Sequence, residues 1–202
     1  MKLVVIACNT LTVLGVDTLK GSHAFEIVGM SKGAQLVLAA SSRKKIGVFA
    51  TEFTINSGAH KAAILAADDG ADVYPQACPK FVPLIEGEQF DGAEVRAAVA
   101  EYAAPLKAAG IDTLILSCTH YPFIQKEIES EFGSEVTVID PADATAQDTK
   151  TVLAAEGLLR SEGAGTLEVC FTADVERGAR IAGRVLPQGK CLFKEIKLSL
   201  IH

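Results

Sequence analysis

Leu3-Val4-Val5-Ile6-Ala7-Cys8-Asn9-Thr10 and Leu114-Ile115-Leu116-Ser117-Cys118-Thr119-His120 are two versions of one device. Each is a short apolar run that stops at a cysteine and passes into small polar residues. A buried strand that ends this way and runs into a helix start delivers its sulfur to the carboxyl edge of a sheet, where open α/β folds bind their ligands. Two thiols delivered in this manner can face one substrate from opposite sides.

Around these stretches β and α signals alternate along the chain. Runs rich in Val, Ile and Leu fall near 3–8, 26–30, 45–50, 72–77, 113–118, 136–140 and 167–172. Helical patterns lie near 10–20, 31–40, 54–67, 92–109, 120–132, 142–159 and 174–186. This alternation predicts an α/β protein with mostly parallel sheets flanked by helices. The stretch from Cys191 to Ile201 alternates imperfectly and predicts a final edge strand. Thr54 or Asn56 is placed to cap the helix carrying Ala59 to Ala66, and Asp174 to open the element near 174–186. Thr119 occupies the N-cap position of a helix after Cys118, which sets that thiol beside the positive end of a helix dipole.

Composition narrows the function classes. The 202 residues carry a net charge of −6 and are 49% apolar. Such acidity argues against nucleic acid or an anionic membrane as partner, since either calls for a basic face. The largest basic cluster, Arg43-Lys44-Lys45, reads as a solvated turn before a strand. No apolar run approaches the roughly 18 residues of a membrane span, and the run after Met1-Lys2 is too short for a signal peptide. Five cysteines, Cys8, Cys78, Cys118, Cys170 and Cys191, are an odd number at wide spacings. That is a poor disulfide framework and predicts a reducing, cytoplasmic setting. No CxxC pair occurs, and Cys118 with His120 offers only two ligands, so no metal site is expected. A phosphatase-type arginine six residues after either thiol is absent, because Leu14 and Ile124 stand there.

A thiol reacts as thiolate, and a helix N-terminus or a protonated histidine lowers its pKa. His120 stands two residues from Cys118. Beside Cys8, Asn9 and Thr10 are neutral hydrogen-bonding groups suited to a carboxylate or amide. Packing accounts for Cys78, Cys170 and Cys191. Cys8 and Cys118 are therefore expected to alkylate faster than the other three.

Val5-Ile6-Ala7-Cys8-Asn9-Thr10 and Cys118-Thr119-His120-Tyr121-Pro122 resemble the two signature segments of the aspartate/glutamate racemase superfamily, in detail those of its glutamate racemases. Ile46 to Thr51, continued by Thr54-Ile55-Asn56-Ser57-Gly58-Ala59, is similar to the family's second-domain strand, turn and helix. Ala77-Cys78-Pro79-Lys80-Phe81-Val82-Pro83-Leu84-Ile85-Glu86 resembles the segment with its auxiliary glutamate. Val138-Ile139-Asp140, Ala144-Thr145-Ala146, Phe171-Thr172-Ala173-Asp174 and Arg180-Ile181-Ala182 resemble its C-terminal part, so the likeness covers nearly the whole chain.

The resemblance implies two similar lobes, 1–31 with 141–202 and 32–140, with the active site in the cleft between them. It implies cofactor-independent racemisation of glutamate, which supplies D-glutamate for peptidoglycan. Cys8 and Cys118 alternate as base and acid, His120 and Glu86 assist Cys118, and Asn9, Thr10, Thr119 and His120 hold the substrate's α-carboxylate and α-amino groups. No cofactor is implied. Family members commonly form dimers, so a homodimer is compatible with the likeness. Two departures accompany it. His60 stands where the family usually has tyrosine, and Met1 already lies inside the first cysteine's strand, ahead of which the family carries an Asp-Ser-Gly loop. A chain lacking that loop has no carboxylate from it to assist Cys8. The corresponding alternative is a truncated, catalytically impaired module that binds an acidic amino acid or a partner protein.

Overall fold

The computed structural model describes residues 1–163, 165–186 and 191–198. It divides into two compact units, Met1–Leu159 and Arg160–His202. The first holds β1 (Leu3–Ile6), α1 (Asn9–Leu19), β2 (Glu26–Gly29), α2 (Ala34–Ala40), β3 (Lys45–Ala50), α3 (Glu52–Asn56) and α4 (Ala59–Ala67). These are followed by β4 (Asp72–Ala77), α5 (Phe81–Glu86), α6 (Ala93–Ala109), β5 (Thr113–Ser117), α7 (Gln125–Phe132), β6 (Thr137–Ile139) and α8 (Ala142–Ala155). The second holds β7 (Leu167–Phe171), α9 (Val175–Ala182) and β8 (Cys191–Glu195). The expected strands appear, all pairing in parallel.

In the first unit, β4, β3, β5 and β6 form one sheet in that order, and β1 pairs with β2 in a second. β5 is buried along its whole length and β3 along nearly all of it. That follows from their continuous apolar runs, which suit strands covered on both faces. Successive side chains divide between the faces. Phe49, Leu114 and Leu116 pack with α5, α6 and α7, while Ile46, Val48 and Ile115 pack with α2 and α4. Gly47 fits the first face because a Cβ there would stand 2.7 Å from Ile111 Cδ1. Burial of side chains such as Phe49, Phe81 and Leu114 contributes about 1.5–3 kcal/mol each.

Local chemistry corrects several expectations. The helix predicted over 54–67 is two helices, broken where Gly58 adopts φ 67°. Thr51 caps the first of them, accepting from the Thr54 N–H, and the second, which carries Ala59 to Ala66, starts after Gly58 without the side-chain cap expected from Thr54 or Asn56. Arg43-Lys44-Lys45 is more tied down than a solvated turn. The Arg43 guanidinium donates to the Gly110 and Ile111 carbonyls, Lys45 donates to the Ala109 carbonyl, and Lys44 pairs with Asp68. Buried Asp112 clamps the preceding loop, accepting from the Ser41 hydroxyl and from the Ser42 and Arg43 N–H groups. Thr119 caps nothing. The chain after Cys118 makes a 3-10 turn, Tyr121–Ile124, with His120 at its cap position, before α7 begins.

In the second unit Asp174 opens α9 as expected, accepting from the Arg177 N–H at 3.3 Å. Gly178 lets the helix approach β7, because a Cβ there would lie 2.4 Å from the Phe171 ring. β8 is the expected final strand, paired with β7 through Glu195. Residues 196–198 continue outside the strand, and 199–201 lie outside the described residues.

Candidate functional site

The connections around β3 and β5 diverge to opposite sides at their carboxyl ends. β3 leads through α3 and α4 to β4 on one side, and β4 leads back through α5 and α6 to β5 on the other. Ligands of open α/β sheets bind where the strand order reverses in this way. Thr51 follows β3 at that edge and Cys118 follows β5.

Cys8 precedes α1 in extended backbone (φ −151°, ψ 120°) and is half-buried. Three observations bring its segment to the same edge. Thr10 Oγ1 lies 2.8 Å from Thr51 Oγ1 and 3.2 Å from Thr54 Oγ1. Ala7 and Thr119, neighbours of the two cysteines, line one groove of about 440 Å³ with Val5, Met30 and Thr145. Charge on Cys8 also acts on Cys118, so the two sulfurs are near enough for electrostatic coupling.

Cys118 is only 8% exposed. Burial pushes its thiol up; the His120 N–H lowers it, Cys8 raises it, and the Tyr121 N–H lowers it again. In place of the expected helix start, the Tyr121 N–H donates to the Cys118 carbonyl at 3.0 Å. His120 Nε2 lies 2.7 Å from Glu86 Oε1, so the two expected helpers of Cys118 are paired. Glu86 is delivered by the last position of α5, a six-residue helix containing Pro83 that hydrophobic periodicity does not reveal.

The remaining candidates are distributed unevenly. Asn9 is 4% exposed, and its Nδ2 has no partner among the described residues. A buried donor left unpaired costs about 1–3 kcal/mol, which a ligand oxygen offsets. Thr10 spends its hydroxyl on Thr51 and Thr54, and Thr119 is exposed along the groove. Thr51, Thr54, Tyr121 and the buried Ser117 hydroxyl, which has no partner among the described residues, are features that sequence reasoning did not assign to the site. For Thr51 a signal existed, since Ile46 to Thr51 is a third apolar run ending in a small polar residue. Cys78 lies on the opposite side of β3, and burial pushes its thiol strongly up.

Among the described residues no group of three His, Cys, Asp or Glu is arranged to hold a metal ion, and no helix is long and apolar enough to cross a membrane. The arrangement offers two thiols at one sheet edge, a carboxylate–imidazole pair beside one of them, and a neutral amide donor. Chemically this suits proton removal and return at a single carbon.

Known proteins share the arrangement of the chain. A glutamate racemase from Lysinibacillus sphaericus (strain C3-41) is 38% identical over 200 residues, which are 98% of this chain and 76% of that protein. The crystal structure of a glutamate racemase isoform from Bacillus anthracis matches with a TM-score of 0.88 at 31% identity, over 99% of this chain and 74% of that one. A Francisella tularensis glutamate racemase, solved in complex with D-glutamate, matches with a TM-score of 0.84 at 27% identity, over 99% of this chain and 74% of that one. The sequence model of the Asp/Glu/Hydantoin racemase family matches residues 1–149. On this likeness in sequence and fold, the chain belongs to the Asp/Glu/Hydantoin racemase family.

Proposed function

We propose that this protein interconverts L- and D-glutamate without a cofactor, using Cys8 and Cys118 as alternating base and acid, and so supplies D-glutamate for peptidoglycan. The observation that carries the reading is the pairing of Glu86 with His120 beside Cys118, at an edge that Cys8 also reaches. Its close relatives are named glutamate racemases.

In this reading one thiolate takes the α-proton from one face of glutamate, and the electron pair left on the α-carbon delocalises into the carboxylate. The thiol on the opposite face then returns a proton, inverting the centre. Burial keeps Cys118 protonated at neutral pH, which suits it as the acid of the first half-cycle. To serve as base it must lose that proton, and the His120–Glu86 pair supplies the acceptor. The Asn9 amide is positioned as a donor to a substrate oxygen, the kind of group that stabilises developing negative charge.

The test is incubation with L-glutamate in deuterated buffer, following loss of the α-proton signal. The reading expects exchange that Cys8→Ser and Cys118→Ser each abolish. Exchange no faster than in these variants overturns it, and the same assay with aspartate and a hydantoin separates neighbouring substrates. One observation favours a second reading, a binding module with impaired catalysis: among the described residues no hydrogen-bonded carboxylate–imidazole pair stands beside Cys8 as Glu86 and His120 do beside Cys118. Glutamate binding without α-proton exchange is its signature.

A further inference from the structure

Tyr121 follows His120 directly, and its ring is wholly buried. Its hydroxyl donates to the Cys78 carbonyl at 3.3 Å, in the turn that leads from β4 into α5. Two residues on, the Lys80 N–H donates to the Tyr102 hydroxyl at 3.3 Å. Phe81, the first residue of α5, stands edge-on to both tyrosine rings, with centroids 5.1 Å from Tyr121 and 5.2 Å from Tyr102. At the other end of the same helix Glu86 meets His120. Consecutive residues of one segment therefore hold α5 at both ends.

A six-residue helix without a side-chain cap does not fix its own direction. The direction of α5 comes from what grips it. We propose that Tyr121 is a positioning residue: by holding the turn at Cys78 it aims α5 so that Glu86 meets His120, and this fixes the imidazole two residues from Cys118. The catalytic consequence rests on the racemase reading; the clamp itself does not.

The experiment is a double-mutant cycle on the intact chain. Alkylation by iodoacetamide is followed across a pH series, with each cysteine read separately by peptide mass spectrometry. Tyr121→Phe, Glu86→Gln and the double variant are compared with the parent. Loss of the Glu86–His120 contact leaves the imidazole unfixed beside the Cys118 segment and less able to support its thiolate, so each single change slows Cys118 alkylation near neutral pH about threefold or more, and Cys8 stays within about twofold. Because both residues act through one contact, the double variant is no slower than the slower single one. Tyr102→Phe loosens the same turn without touching the Cys118 segment. It gives the same coupling in smaller measure and carries the test if Tyr121→Phe does not fold. An unchanged pH dependence of Cys118, faster alkylation from loosened packing, or effects that multiply in the double variant overturn the proposal. Where the parent exchanges the α-proton of glutamate, the acid limb of its pH profile moves up in Tyr121→Phe together with Cys118. No exchange in any form refutes the racemase reading, while the alkylation cycle still decides the clamp.

Discussion

Acid weakens this fold through His60, and the size of the effect follows from where the ring sits. His60 lies in the first turn of α4, is 4% exposed, and has no hydrogen-bond partner on either ring nitrogen among the described residues. Burial lowers its pKa from 6.5 to about 4, with the Lys32 charge adding to the shift. As the pH falls through 6.5 the unfolded chain takes up a proton that the folded chain refuses until about 4, so stability is lost as the pH falls through that window. At about 1.4 kcal/mol per pH unit the full loss is about 3 kcal/mol, of which about 2 kcal/mol falls between pH 7 and pH 5. Urea unfolding at these pH values, for the parent and for His60→Phe, isolates the contribution of His60, because contributions from carboxylates cancel in the comparison. The parent loses about 2 kcal/mol more than the variant on going from pH 7 to pH 5. Parallel pH dependences in the two proteins refute the argument that a buried, unpaired imidazole limits acid stability.

Three further outcomes follow from the same structure. Asp112→Ala strips the loop at Ser41–Arg43 of its buried acceptor and destabilises the fold by about 2–4 kcal/mol, read as a lower urea midpoint; a change under about 0.5 kcal/mol contradicts the clamp. Among the described residues β1 pairs with β2 alone, and Val5 is 38% exposed, so amides of β1 exchange with solvent faster than those of fully buried β5; equal protection counts against this ranking. Exposed Cys170 and half-buried Cys8 alkylate first and Cys78, 1% exposed, alkylates last, with Cys118 between them. The sequence alone ranks Cys118 with Cys8 ahead of Cys170, and labelling in that order shows the burial of Cys118 to be wrong.

Strands were easy to read because the central ones are continuous apolar runs. Leu114 to Ser117 and Ile46 to Ala50 need no long-range information to be recognised as buried on both faces. The paired cysteines were legible for the same reason, since each ends such a run. α5 was not, because Phe81-Val82-Pro83-Leu84-Ile85-Glu86 is too short to show a helical period and carries a proline. The break at Gly58 and the 3-10 turn after Cys118 are choices of local backbone that the apolar pattern does not encode. Thr10 meeting Thr51, and Tyr121 meeting Cys78, depend on which loops the topology brings together at one sheet edge. The depth of Cys118 is likewise a property of packing around β5, and it pushes the thiol's pKa up where a helix dipole was expected to lower it.

The central claim is that two thiols work on opposite faces of one carbon. Its most direct measurement is the isotope content of both enantiomers early in the reaction of protiated L-glutamate in deuterium oxide, separated on a chiral column and weighed by mass spectrometry. With two bases, the D-glutamate formed carries deuterium at the α-carbon, delivered by the second thiol, while the remaining L-glutamate stays protiated. D-glutamate that keeps its original proton, or deuterium entering both enantiomers equally from the start, contradicts the account.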